Sequence, residues 1–408
     1  MACDSTNRRG IWARTPWFAM RWSTGLKCWT FCGATNHTRR TGKPDHTQRS
    51  SFAWRLAGQR PGFGTCCGEL RQQSRGGAGG GTVMPANPLC ALGRPFAMPA
   101  WKAVALGLYY HLSRPYRWQW LQKAMARGQA PAVVLYYHRV ADDQATPWTI
   151  PTKIFLRQLD WLKRRFDLVS LEEVHRRMAA GANRRLCVAI TFDDGYAANC
   201  QVAIPWLIEH AVPCTYFVTL GPVLSGRPFE HDARLGKRLA PNTLDELRAM
   251  AAAGIDIGSH TYSHADLARL TRPEVLYREV VAVRTELQHL VGRPVRHFAF
   301  PFGQREHLSR AAMAAARRAA YQTACSAYGA YNFPDGDGFH IRRIPADESL
   351  IRLKNWVTID PRKLFRTPDL WNEHAEEREH AGLMGATLGD VAWPAPMSPP
   401  YIPEAPQT

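Results

Sequence analysis

The chain has 408 residues, 45% of them hydrophobic and 21% charged, an ordinary globular composition that excludes a fibre, a peptide and a wholly unfolded chain. No window reaches the roughly 20 uninterrupted apolar residues that a membrane-spanning helix needs; the longest candidate is the run Ala103 to Tyr110. The net charge of +18 is uneven, since residues 1–97 hold 14 Lys and Arg against 3 Asp and Glu while the other 311 residues hold 38 against 31.

A nucleic-acid partner therefore has weak support, because most of the basic excess lies in the first quarter and no recognition helix or RNA-binding aromatic pattern accompanies it. Residues 1–97 show no sustained helical or strand periodicity and end in the run Gly76, Gly77, Gly79, Gly80 and Gly81. They are expected to be a disordered extension, or text upstream of a true start at Met84 or Met98. They lack the ordered parts of a secretory signal, so localisation stays open between the cell envelope and the cytoplasm. Cys3, Cys28, Cys32, Cys66, Cys67 and Cys90 make no paired zinc-ribbon spacing, and Cys187, Cys200, Cys214 and Cys325 sit in apolar runs and read as buried thiols.

From Trp101 the pattern changes. Ala132 to Tyr137 reads as a strand, and Phe155, Leu159, Leu162 and Phe166 recur at helical spacing. Strand-like Leu186 to Phe192, a helix from Ala198 to His210, and strand-like Cys214 to Thr219 follow. Thr243 and Glu246 form a capping box that opens a helix closed by Gly254, with a strand beginning at Ile255. Thr271 and Glu274 suggest a second capping box, and Leu276, Val280, Val283, Leu287 and Leu290 one apolar helix face. His297 to Phe300 is a strand, Leu308 to Ala320 a helix, and Gln322 to Ser326 and Phe339 to Ile344 complete the series. Strand and helix alternating at least five times imply parallel strands joined by helical crossovers, as a β/α barrel or a doubly wound sheet. The catalytic domain is expected over 98–360, and 361–408, with six prolines between Pro394 and Pro406, as a disordered tail.

Four motifs fall at predicted strand ends, where α/β folds place their sites. Thr191-Phe192-Asp193-Asp194-Gly195-Tyr196 sets two carboxylates side by side, which repel unless a cation shares the site; alone it could be a solvated loop. Ser259-His260-Thr261-Tyr262-Ser263-His264 places two imidazoles four residues apart, a spacing that is often incidental. Together they offer one carboxylate and two imidazoles, the usual ligand set of an open catalytic metal site. Phe298-Ala299-Phe300-Pro301-Phe302-Gly303 is a turn after a strand, and Tyr136-Tyr137-His138-Arg139-Val140 carries a histidine that could equally be core.

TFDDGY, HTYSH and FAFPFG in that order, over about residues 132–345, resemble the polysaccharide deacetylases of the nodulation-type homology domain, a class of metal-dependent carbohydrate esterases. YYHRV ahead of the acidic motif is similar to the circularly permuted branch that includes the poly-N-acetylglucosamine deacetylases. The resemblance implies an irregular (β/α) barrel of about seven strands that removes N-acetyl groups from an amino-sugar polysaccharide. It implies that Asp194, His260 and His264 hold a divalent metal, Zn2+ first, with Co2+ or Ni2+ open to the same donors. It also implies Asp193 as general base, His138 as general acid, and the Phe302 amide beside Pro301 as an oxyanion donor. Tyr196, Tyr262, Phe302 and Trp148 could stack on sugar rings or serve as core.

One position departs from the family. Ala299 stands where many members carry the arginine that orients the base; Arg342 or Arg343 could replace it. The rival reading is a non-catalytic carbohydrate-binding member of the same fold, against which the two retained, mutually repelling acids argue. Neither the polymer nor the oligomeric state is legible.

Overall fold

The computed structural model describes residues 98–334 and 338–364. The expected extension over 1–97 with its six cysteines, and the tail beyond Leu364, lie outside the described residues; Pro361–Leu364 forms a short helix.

Seven parallel strands close into a barrel: β1 (Ala132–Tyr137), β2 (Cys187–Phe192), β3 (Cys214–Val218), β4 (Asp256–Ser259), β5 (His297–Ala299), β6 (Thr323–Ser326) and β7 (His340–Pro345). Each pairs with its neighbour in sequence, and β7 returns to β1 through Val134 opposite Arg343. The barrel reading is thus realised, with Asp167–Leu168 added as a short strand beside β2.

Alternation along each strand decides what lies inside. Val133, Leu135 and Tyr137 of β1 and Val188, Ile190 and Phe192 of β2 pack outward under the helices. Ala132, Val134, Cys187 and Ala189 point inward with Phe217, Ala299, Cys325 and Ile341. Both faces are buried, so the strands read as apolar runs. The interior is narrow: a Cβ on Gly258 of β4 would lie 2.4 Å from Cδ1 of Phe217, so Phe217 fills the space that Gly258 leaves.

Around the barrel, the helix Thr152–Lys163 buries Phe155, Leu159 and Leu162 on one stripe, and losing one such leucine to alanine costs about 2–5 kcal/mol. The Thr243 and Glu246 capping box is present at the start of Leu244–Ala252. The expected helix over Ala198–His210 is instead a turn at Ala197–Cys200 followed by Ala203–Glu209. Pro205 has no N–H to bond back to Gln201, so it must sit in a first turn.

The second capping box does not form. Arg272 is the N-cap and Pro273 occupies the first helical position, so Thr271 lies one residue too early. From Pro273 the helix passes through a π-helical stretch, Tyr277–Ala282, into Val283–Val291. Of the four later cysteines Cys187, Cys214 and Cys325 are buried and Cys200 is half-buried. Helices at Ala100–Ala126, Leu171–Ala179 and Leu350–Val357 were not anticipated. Among the described residues no helix is long and apolar enough to cross a membrane.

Candidate metal centre and active site

The inward series of β2 continues past its end, from Cys187, Ala189 and Thr191 to Asp193. Arg343 is inward on β7 for the same reason, two residues after Ile341. Its guanidinium is fully buried and meets Asp193 with two parallel bonds, Nη1–H to Oδ1 at 2.6 Å and Nη2–H to Oδ2 at 2.9 Å. Of the two arginines, Arg343 is thus the one paired with Asp193, whereas Arg342 donates to the Tyr328 hydroxyl at 3.0 Å. Burial would raise the Asp193 pKa, but the Arg343 charge outweighs it and holds the carboxyl below its ordinary value.

Asp194 turns the other way. It adopts φ +73°, followed by Gly195 at +101°, and its carbonyl accepts the Thr219 N–H at 3.0 Å. Left-handed backbone is unfavourable for a non-glycine residue, though Asp tolerates it better than most. The reversal separates the two acids: Asp193 faces Arg343, and Asp194 faces the histidines.

His260 follows β4 directly, and its main-chain N–H donates to the Val218 carbonyl at 2.8 Å. Its Nδ1 lies 2.8 Å from the Ala299 carbonyl. A carbonyl only accepts, so the proton sits on Nδ1 and the Nε2 lone pair faces Asp194 Oδ1 at 3.5 Å. Burial keeps this imidazole neutral, its pKa pushed down to about 4.

The loop carrying His264 is held by Glu279, a residue of the π-helical stretch. Its carboxylate accepts the Tyr262 and Ser263 amides, each at 2.9 Å, and the Ser263 hydroxyl at 2.6 Å. Thr261 Oγ1 accepts the His264 N–H at 3.0 Å, and both residues adopt positive φ. This brings His264 Nε2 to 3.2 Å from Asp194 Oδ1.

One donor atom from each of Asp194, His260 and His264 lies within 4.8 Å of the others. Asp194 Oδ1 is buried with no hydrogen-bond partner. Burial would raise the Asp194 pKa, yet its contact with His264 holds it well below the usual carboxylate range. An ionised, buried oxygen facing the His260 lone pair and the His264 ring nitrogen is an arrangement that a divalent cation fits.

The other sequence candidates are distributed as follows. His138 is half-buried at the end of β1, its ring edge-on to that of Tyr136 at 5.5 Å. Pro301 is buried and Phe302, at φ +61°, is 49% exposed with its ring 5.0 Å from that of His264. The bonds of this turn run from the Gly303 amide to Pro301 and from the Ala327 amide to Gly303, and leave the Phe302 amide out. Tyr262 and Trp148 are half-buried, with Arg278 over the Tyr262 ring at 4.0 Å.

Tyr196 is corrected. Its ring is fully buried with Phe229 and Leu239, so it offers no face to a sugar. Its hydroxyl donates to Asp232 Oδ2 at 2.9 Å and accepts from His231 Nε2 at 2.8 Å. His231 also lies 3.9 Å from Asp194 Oδ2 and 5.1 Å, ring to ring, from His264. His231, Asp232 and Glu279 escaped the sequence reading because none lies in a motif; only the folded loop brings them to the site.

The family model for polysaccharide deacetylase matches residues 180–324, which include both acids and both histidines. Residues 180–324 thus match a polysaccharide deacetylase domain. YxkH of Bacillus subtilis (strain 168), named for the same family, is 26% identical over 191 residues, covering 46% of this chain and 62% of YxkH. A chitooligosaccharide deacetylase of Sinorhizobium fredii is 30% identical over 117 residues, or 28% of this chain and 46% of that protein. The chain thus spans less than two thirds of either relative. The Streptococcus pyogenes deacetylase PplD, solved with acetate, aligns over 59% of this chain and 98% of its own at 20% identity and a TM-score of 0.47.

Proposed function

We propose that the protein is a metal-dependent hydrolase that removes N-acetyl groups from an amino-sugar polysaccharide, such as poly-N-acetylglucosamine or a chitin-like polymer, and releases acetate. The observation that carries the reading is the division of labour between adjacent acids: Asp194 joins His260 and His264, while Asp193, gripped by Arg343, remains beside them as an ionised base. A divalent cation held by Asp194, His260 and His264, Zn2+ by preference, would polarise the acetamide carbonyl and acidify a water molecule.

Asp193 takes the proton of the attacking water, and Arg343 keeps its carboxylate ionised and aimed. His138, at the end of the adjoining strand, gives a proton to the departing amine. The Phe302 amide, uncommitted in its turn, donates to the oxygen that gains negative charge as the carbonyl is attacked. The exposed Phe302 ring supplies an apolar face for a sugar, the role that Tyr196 cannot have.

Acetate release from chitin oligomers and from poly-N-acetylglucosamine, with and without a chelator, tests this reading. Release that stops with chelator, returns with Zn2+ and falls by about 10²-fold or more in Asp193→Asn supports it. Undiminished release by Asp193→Asn would remove Asp193 as the base.

A further inference from the structure

The helix Ala100–Ala126 is fastened to the protein along one face. Tyr109 O–H donates to Asp360 Oδ1 at 2.8 Å, and the buried Arg117 donates to the Asn355 carbonyl at 2.8 Å and to Asn355 Oδ1 at 2.6 Å. The opposite face is apolar and bare. Trp101, Val104, Leu108 and Leu112 are 72%, 63%, 60% and 79% exposed. Their spacing of three, four and four residues aligns them in one stripe of an α-helix. Single exposed apolar side chains are commonplace; an aligned stripe marks a contact surface.

Beside the stripe a groove of about 1080 Å3 separates this helix from the chain leading into β2. Arg114, Lys163, Arg164, Arg165 and Arg185 line it, all exposed, and among the described residues none of the five is in an ion pair. Asp167, the acid in the groove, is taken by Arg177 at 3.0 Å. Trp118, 63% exposed, belongs to the groove wall and flanks the stripe, so the apolar and cationic surfaces are continuous.

Charge selects the occupant. A second copy of the chain would bring the same cations, and a purely apolar cover would leave them without counter-charge. A surface that is apolar beneath and anionic above complements both. We propose that the helix Ala100–Ala126 lies in the plane of an anionic lipid bilayer, with Trp101, Val104, Leu108 and Leu112 in the acyl boundary and the cationic groove on the headgroup phosphates. Arg185 and Leu186 of the groove precede β2, whereas the metal-site acids follow it. Docking therefore leaves the catalytic end of the barrel away from the lipid.

The full chain is floated with unilamellar vesicles of phosphatidylcholine, or of phosphatidylcholine mixed with phosphatidylglycerol. Wild-type protein floats with the mixed vesicles and at least about tenfold less with phosphatidylcholine alone. The double changes Leu108→Glu with Leu112→Glu, and Arg164→Glu with Arg165→Glu, each weaken flotation about tenfold or more while melting as the wild type does. Wild-type protein that stays behind, or a leucine double variant that floats undiminished, overturns the proposal. So does a wild-type dimer that the leucine changes convert to monomer without any flotation, which would assign the stripe to a second copy. Flotation needs no turnover, so its failure leaves the reading of the metal site untouched.

Discussion

Arg343 and Asp193 meet as a two-bond pair, at 2.6 and 2.9 Å, at the end of the barrel interior, with Arg343 fully buried and Asp193 keeping a 3% exposed edge. They come from strands far apart in the sequence, and alternation along β2 and β7 turns them to the same interior. Removing one partner of a buried pair costs about 3–5 kcal/mol. Arg343→Ala should therefore lower stability, reduce kcat by about 10²-fold, and move the acid limb of kcat/KM to higher pH, because burial of Asp193 then acts unopposed. Arg343→Lys should recover part of the shift, and Arg342→Ala none of it. The folded pKa of Asp193 lies below its unfolded value, so the pair stabilises the fold above about pH 4 and this contribution is lost as pH falls. An unchanged pH profile in Arg343→Ala would show that Asp193 is tuned by something else.

Glu279 touches no ligand atom, yet it accepts three hydrogen bonds from the loop that delivers His264. Glu279→Gln keeps the shape and loses the charge. Metal affinity, read by competition with a chromogenic chelator, should weaken by about 10- to 100-fold, with the unfolding midpoint little altered. Equal affinity would make Glu279 a packing residue only.

Asp232 is fully buried, and burial pushes its pKa up to about 6. Its unfolded value is about 3.9, so the folded state holds the extra proton between these values. This carboxyl favours folding most below about pH 4, and that contribution disappears as pH rises through 6. Asp232→Asn removes the effect. Relative to wild type, the variant should gain on the order of 2 kcal/mol in unfolding free energy between pH 4 and 7, measured by urea titration. Parallel pH curves for the two proteins would contradict this.

Gly258→Ala is expected to destabilise by about 1–3 kcal/mol, since the new methyl group would overlap Phe217 within a strand packed on both faces. The paired change Gly258→Ala with Phe217→Leu should recover part of the loss in the same denaturation experiment.

Motifs that end strands were the legible part of this sequence, because a strand fixes where its last side chains emerge. Asp193, Asp194, His260 and His264 fall together for that reason. The choice between Arg342 and Arg343 depends on which of them shares the inward face of Ile341, a parity that requires the exact register of β7. His231 and Asp232 lie on the five-residue helix Glu230–Arg234, which carries no apolar period to announce it. The helix Ala100–Ala126 was missed because apolar residues lie on both its faces, Leu106 and Tyr109 against the protein and Leu108 and Leu112 away from it, and Pro115 sits within it, so no single apolar face stands out. Proline at the first helical position defeated the capping pattern at Thr271.

The account depends most on a single ion shared by Asp194, His260 and His264. Metal content per chain after equilibration with Zn2+ and exhaustive dialysis, by mass spectrometry, measures this directly. Wild type and Asp193→Asn should each retain one ion, and Asp194→Ala, His260→Ala and His264→Ala, shown folded by circular dichroism, should each retain almost none. Full retention by any of those three alanine variants, or none by wild type, would contradict the account.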